Sequence, residues 1–318
     1  MKKLKYICVQ PRLLYYAWQV EVMINNFINN GINPNDINII VSWNPNDTTS
    51  SIENIEPWDK LVNCYKSINF YFYEDTRNSP VNYISSVRPN ALKQHFALFP
   101  ELSNDAIFYH DCDILFTKPV DFTRFINDDI WYVSDTNSYI NYDYIISKGY
   151  DVYDKMCEVI GINPMIPKLM NSNSGGAQYI MKNLDSEFWN KVETDCENLF
   201  LQITQLNRSK KLLDSEYHEL QIWCADMWAV LWNAWMDGYE TKIVNELNFC
   251  WSTDPIVNWH TTNILHNAGV THNGIMFHKS VFTNMIPYYI SSEAYSNNFC
   301  SIKYVEEILK TKEVSCLI

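Results

Sequence analysis

The sequence predicts an α/β protein with a mixed sheet flanked by helices, and three observations carry that expectation. Strand and helix signals alternate over the first 120 residues. The strand candidates are near-continuous apolar runs, as expected of strands covered on both faces. The chain has 318 residues and is 47% hydrophobic, enough to bury a substantial core.

Taken along the chain, Tyr6 to Gln10 is a short apolar run ended by Pro11, and Leu14 to Ile28 has helical spacing and stops before Gly31. Asp36 to Trp43 holds the second strand, around Ile37-Asn38-Ile39-Ile40-Val41, and Ile68 to Tyr73 the third. Pro89 suits the first turn of a helix running to about Phe99, and Pro100 ends it. The strand Ala106-Ile107-Phe108-Tyr109-His110 leads at once into Asp111-Cys112-Asp113-Ile114-Leu115-Phe116. Further on, Ile130 to Val133 reads as a strand ending in Ser134-Asp135, and Ala177 to Met181 as one entered through a turn at Gly175-Gly176. Glu216 to Asp237 reads as a long helix closed by Gly238, and Val305 to Lys310 as a short one. The expected organisation is one domain over 1–285 and a C-terminal extension, 286–318, packing on it.

Lys and Arg number 24 against 37 Asp and Glu, a formal charge of −13 that disfavours general nucleic-acid binding but leaves a basic groove open. There is no run of about 18 apolar residues, so a soluble protein without a membrane helix is expected. The basic start Met1-Lys2-Lys3-Leu4-Lys5 is followed by too short an apolar stretch for a secretory signal, which points to the cytoplasm, or the host cytoplasm for a viral source. Nine cysteines without a Cys-x-x-Cys pair fit free thiols in a reducing compartment and offer no thiolate metal site. The glycosylation sequons at Asn46 and Asn207 are then without consequence, and Cys316 lies one position too near the end for prenylation.

Asp111 and Asp113, one residue apart at the C-terminal end of a buried strand, point to the same side. Acids placed there need a partner. A hard divalent cation such as Mn²⁺ or Mg²⁺, shared with diphosphate oxygens, supplies one, although a solvated strand end would also explain the pair. Only eight glycines occur, so a backbone requirement is expected where they cluster. One cluster is Gly175-Gly176 and another surrounds Leu265-His266-Asn267-Ala268-Gly269-Val270. Asp226 sits in a segment, Leu220 to Trp232, that is apolar nearly all round. A carboxylate in the middle of such a helix is costly unless paired or used, and burial would raise its pKa toward the working range of a general base. Bonding to a neighbouring helix is the alternative. No Gly-x-Gly-x-x-Gly or Walker loop is present.

The run Ile107 to Pro119, with its apolar strand, two acids, Ile114-Leu115-Phe116 and Lys118-Pro119, resembles the Asp-x-Asp segment of glycosyltransferases of the GT-A, Rossmann-like fold. Arg88-Pro89-Asn90-Ala91-Leu92-Lys93 resembles their helix before the motif strand, implying that Arg88 or Lys93 faces the donor; ordinary surface cations would look the same. By the same resemblance Gly175 and Gly176 lie against the donor sugar, or form a plain turn. His266 becomes the third protein ligand beside Asp111 and Asp113, with His278 as rival, and Lys279 meets the diphosphate. Asp226 matches the acid that contacts the acceptor hydroxyl and serves inverting members as base. Gln10, Trp43 and Asp75, at the ends of the first three strands, are assigned to the nucleoside. Cys112 departs from the usual middle residue of the motif, with its side chain expected to point away from the metal. The order of motifs is similar to hydroxyproline-arabinosyltransferase-like and viral sugar transferases.

The resemblance implies metal-dependent transfer of a hexose or pentose from a UDP-sugar, or another nucleoside diphosphate sugar, to a hydroxyl of a glycan, a protein or modified DNA. A viral-type enzyme acting on hydroxymethylated bases is one alternative, and a metal-dependent phosphohydrolase using the same acids and histidine is a second.

Overall fold

Runs such as Tyr6 to Val9 and Ile37 to Ser42 bury every residue, and buried parallel strands are the structure that such runs form. In the computed structural model of the chain, which describes residues 2–78, 81, 83–269 and 274–318, they are β1 (Leu4–Pro11) and β2 (Ile37–Trp43), joined through α1 (Leu14–Asn29). The chain continues through α2 (Ile52–Cys64), β3 (Asn69–Glu74), α3 (Val87–Leu98), β4 (Ala106–Tyr109), β5 (Ile114–Phe116) and β6 (Trp131–Asp135). Four helices follow, α4 (Asn137–Ile140), α5 (Tyr142–Ile146), α6 (Tyr150–Ile160) and α7 (Met165–Leu169), and then β7 (Gly175–Lys182). The rest is α8 (Ser186–Leu213), α9 (Ala225–Met236), β8 (Thr241–Ile243), β9 (Phe249–Trp251), α10 (Val257–Thr261), β10 (Ile264–His266) and α11 (Ser301–Lys312).

The fold is mixed α/β, with a seven-stranded mixed sheet, hydrogen-bonded in the order β3-β2-β1-β4-β7-β6-β8, flanked by helices. A second sheet has the order β5-β10-β9. The chain divides into two compact units, one of Met1–Lys3, Asp75–Ile107 and Phe125–Val244, the other of Leu4–Glu74, Phe108–Arg124 and Asn245–Ile318.

In the unit that begins at Leu4, β2 runs parallel to both neighbours, with Ile40 opposite Val9 on one side and Tyr71 on the other. Parallel neighbours need a crossover, and α1 and α2 provide the two. α1 buries Trp18, Val20, Met23, Ile24 and Phe27, and because several of its faces are covered, its polar residues have to be paired internally. Asn26 is paired with a backbone: its Nδ2 donates to the Phe116 carbonyl at 3.2 Å and its Oδ1 accepts from the Phe116 N–H at 2.7 Å. A side-chain amide thus stands where a neighbouring strand would be. Glu21, fully buried, accepts from the Tyr288 hydroxyl, from Ser315 Oγ at 2.7 Å and from the Cys316 N–H at 2.8 Å. Residues 286–318 belong to this unit, and α11 packs on α1.

The expectation of nine free thiols does not hold. Cys64, the last residue of α2, and Cys316 form a disulfide with Cα atoms 6.2 Å apart; the remaining seven cysteines are free and buried. A sequence separation of 252 residues hides that pairing from any spacing rule. Of the two sequons, Asn46 is exposed while Asn207 is buried and donates to the Leu220 carbonyl at 3.0 Å. No helix among the described residues is long and apolar enough to cross a membrane.

In the other unit, β6 pairs antiparallel with β7 and parallel with β8. The glycines expected in a turn before the strand are its first two residues. The register shifts between Val133 and Ser134, and a Cβ on Gly175 would lie 2.2 Å from Val133 Cγ2 and 2.5 Å from the Ser134 carbonyl. Glycine is what lets the two strands approach at this bulge.

The helix expected from Glu216 also starts later. Asp214 caps a turn, with its Oδ1 accepting from the Glu216 N–H at 2.9 Å, and α9 begins only at Ala225, after a 3₁₀ turn over Ile222–Cys224. Asp226 therefore lies in the first turn of α9, not in the middle of a helix.

Two outcomes check this packing. Thiol titration of the denatured, unreduced protein should count seven thiols, and a count of nine would refute the Cys64–Cys316 pair. Asn26→Leu leaves the Phe116 N–H unpaired and its carbonyl with only the 3.4 Å bond from Asn30 Nδ2, and should cost about 1–3 kcal/mol, read as a lower urea midpoint at unchanged slope.

Candidate active site

β4 ends at Tyr109, and the chain keeps one more sheet contact, the His110 N–H to the Ile7 carbonyl at 3.1 Å, before it turns through Asp111-Cys112-Asp113 into β5. β5 changes sheets and pairs antiparallel with β10, setting His266 opposite Ile114. The Asn267 N–H continues that ladder by donating to the Asp113 carbonyl at 2.9 Å. Strand register thus carries an imidazole from late in the chain to the aspartate turn.

His266 Nε2 is 3.6 Å from Asp111 Oδ2 and 3.5 Å from Asp113 Oδ1. One ligand atom from each of the three residues falls in a set whose members all lie within 4.8 Å of one another. These separations are long for hydrogen bonds and suit atoms arranged round one cation at about 2.1 Å from each. Two carboxylates and an imidazole are a donor set for a divalent cation. Trp251 lies against the His266 ring, centroids 5.2 Å apart and planes at 31°, and limits its rotation. Cys112 is buried, and burial holds its thiol well above the usual range.

Asp113 is buried too, and its Oδ2 is ion-paired with the Lys279 ammonium. Burial works to raise this carboxyl, but Lys279 and then His266 outweigh it and hold Asp113 well below the usual carboxylate range. Lys279 is held above its ordinary value because Asp113 overcomes the opposing effect of burial. Gly269 makes room for this contact: its φ is +84°, and an added Cβ would come within 2.9 Å of Lys279 Cε. His110, buried beside the turn, is pushed down to about 4 by burial, against the pull of the Asp111 carbonyl on its Nδ1.

The other expected residues of this unit lie on β1, on β2 and before a 3₁₀ turn. Gln10 is buried on β1 opposite Val41, and Trp43 ends β2. Arg12, which the sequence reading passed over, lies 4.9 Å from the Trp43 ring centroid and donates through Nε to the Thr49 carbonyl at 2.6 Å. Its signal was a lone cation directly after the proline that closes the first strand. His278 precedes the 3₁₀ turn Lys279–Phe282 and lies outside the Asp111, Asp113, His266 group found among the described residues. Val270, at the end of the second glycine segment, lies outside the described residues.

In the other unit, Asp226 is buried at the N-terminus of α9, where the helix dipole favours an anion. The Tyr83 hydroxyl lies 2.6 Å from Asp226 Oδ1 and 2.6 Å from the Trp223 carbonyl, so one proton serves two acceptors, and it accepts from the Asp226 N–H at 3.3 Å. Arg88 Nη1 is 3.7 Å from Asp226 Oδ2. Burial, and next the Asp226 charge, push the Tyr83 phenol well above its ordinary range, so it stays a donor. Lys93 pairs with Glu193 at 2.6 Å, and Asp75 grips the Arg77 guanidinium at 2.7 Å. A Cβ on Gly176 would lie 2.8 Å from Met227 Cε.

No protein-family model matches the chain, and no curated protein does. Among solved structures, it is similar to the apo form of WbbM, a bifunctional glycosyltransferase, at 8% identity and TM-score 0.45 over 96% of this chain and 52% of that one. The chain thus spans about half the length of WbbM. It is also similar to mouse xyloside xylosyltransferase 1 in apo form, at 8% identity and TM-score 0.41, covering 84% of this chain and 98% of that one. A third, the mannosyltransferase PcManGT from Pyrobaculum calidifontis in complex with GDP-Man and Mn²⁺, is 10% identical with TM-score 0.29, covering 73% and 71% of the two chains.

Asp111→Asn, Asp113→Asn and His266→Ala should each weaken Mn²⁺ binding by about 100-fold or more, beyond the 10–100-fold typical of outer partners, in an electron paramagnetic resonance titration where His278→Ala binds normally. Because the folded-state pKa of Asp113 is depressed, its ionised form stabilises the fold above the ordinary carboxylate pKa, and that contribution is lost as pH falls through the depressed value. Lys279→Met removes the main cause of the depression, so acid unfolding should begin at higher pH in the variant.

Proposed function

We propose that the chain is a metal-dependent glycosyltransferase that moves a sugar from a nucleoside diphosphate donor, in the first instance a UDP-sugar, to an acceptor hydroxyl. The observation that carries this is the Asp111, Asp113 and His266 cluster at a strand end with the Lys279 ammonium beside it. Asp111, Asp113 and His266 would hold the divalent ion. When bound, that ion supplies positive charge for the diphosphate oxygens as the glycosidic bond to the donor breaks. Lys279 adds a fixed cation with few degrees of freedom left, since Asp113 and the Gly269 turn confine it. Gln10 and Trp43, with Arg12 held over the Trp43 ring, are assigned to the nucleoside.

The role of Asp226 is a separate claim. A carboxylate there would accept the proton of the attacking hydroxyl while the acceptor oxygen bonds to the anomeric carbon and the diphosphate leaves. Its support is a buried carboxylate fixed by Tyr83 on one oxygen and faced by Arg88 on the other. Arg88 would keep it oriented. Gly175 and Gly176 are retained as donor-side positions on the resemblance alone, and so is Lys93, which is engaged by Glu193; Asp75, engaged by Arg77, is kept for the nucleoside on its place after the third strand.

Incubation with UDP-sugars, and with other nucleoside diphosphate sugars, tests the reaction class. Mn²⁺-dependent release of the nucleoside diphosphate that stops with chelator supports it; release of inorganic phosphate would contradict it and favour the hydrolase. Asp226→Asn should keep donor binding and lose about 100-fold or more of turnover.

A further inference from the structure

The first turn of α9 stands beside an aromatic surface with no part in the steps above. Trp223, three residues before Asp226, is 57% exposed, although Trp228 and Trp232 in the following helix are fully buried. Its indole lies against Tyr139 of α4, with centroids 6.0 Å apart and planes at 25°. The Tyr83 hydroxyl that lies at the Asp226 carboxylate also lies at the Trp223 carbonyl, so the Trp223 main chain and the acid are held to a common point.

Leaving an indole this exposed forgoes the burial of a large apolar face. A flat ring face beside an ionisable carboxylate matches a pyranose ring, whose axial C–H face packs on the indole while its hydroxyls donate to the acid. A nucleobase would stack equally well, but it brings phosphates. The segments bearing the pair carry exposed Asp135, Glu216 and Glu219 against Lys211, whose ammonium donates to the Ser215 and Tyr217 carbonyls, in a chain of net charge −13; the negative balance repels phosphates while leaving a neutral sugar unaffected.

We propose that Trp223 and Tyr139 form an acceptor subsite that takes the pyranose ring of a neutral glycan, with a hydroxyl turned toward Asp226. This rests on the transferase function proposed above and narrows its acceptor to carbohydrate.

Saturation-transfer NMR with the full chain tests it, using the methyl pyranosides of glucose, galactose, mannose, xylose and N-acetylglucosamine, a short oligothymidylate, and UDP with Mn²⁺ as a separate probe. The wild type should transfer saturation to the ring protons of at least one glycoside. Trp223→Ala should weaken that binding about tenfold or more, Trp223→Phe should retain most of it, and both variants should bind UDP with Mn²⁺ as the wild type does. Binding of no glycoside, unchanged binding by Trp223→Ala, or binding of oligothymidylate in place of the glycosides overturns the subsite. If UDP with Mn²⁺ binds normally in those cases, only the subsite fails; if the wild type does not bind it either, the transferase function fails as well.

Discussion

A carboxylate buried at Asp113 is the constraint on which the rest of this unit turns. A desolvated charge costs several kcal/mol unless its partners are placed well, and the partners lie more than 150 residues further along the chain: Asn267 on its backbone, His266 and Lys279 on its side chain. Meeting that need requires β5 to leave the main sheet, β10 to pair with it in one register, and Gly269 to turn through positive φ so that Lys279 fits. The arrangement that pairs the charge also assembles three oxygen and nitrogen donors round one point. Stability and chemistry draw on the same contacts there.

The elements that were legible in the sequence were those set by local pattern. Apolar runs gave β1, β2 and β3 close to their observed limits, and proline gave the end of α3. The two acids stood out because charge follows directly on a buried strand. What escaped depends on contacts between distant residues. Glu216 to Leu220 carry helix formers, yet turns capped by Asp214 compete locally and delay α9 to Ala225. The 28-residue α8 was missed because its charged and apolar residues mix along much of its length, so burial of one stripe is settled by packing. Gly175 reads as a turn residue, but its collision partners lie on another strand.

The same distinction runs through the site. His266 was assigned by its place after the acids, whereas the Trp251 ring beside it and the Asn267 link were invisible without strand pairing. Asp226 was singled out as an acid in an apolar helix; its position in the first turn, and the Tyr83 hydroxyl bound to it, give it a structural anchor that periodicity could not supply. Cys64 and Cys316 show the limit most plainly, because the fold alone brings them together.

The central claim is that Asp111, Asp113 and His266 share one divalent ion. Its most direct test is an anomalous-difference map from crystals of the wild-type chain soaked in Mn²⁺. The account predicts one dominant peak about 2.1 Å from an oxygen of each aspartate and from His266 Nε2. A dominant peak elsewhere, or one held by His278 in place of His266, would contradict it.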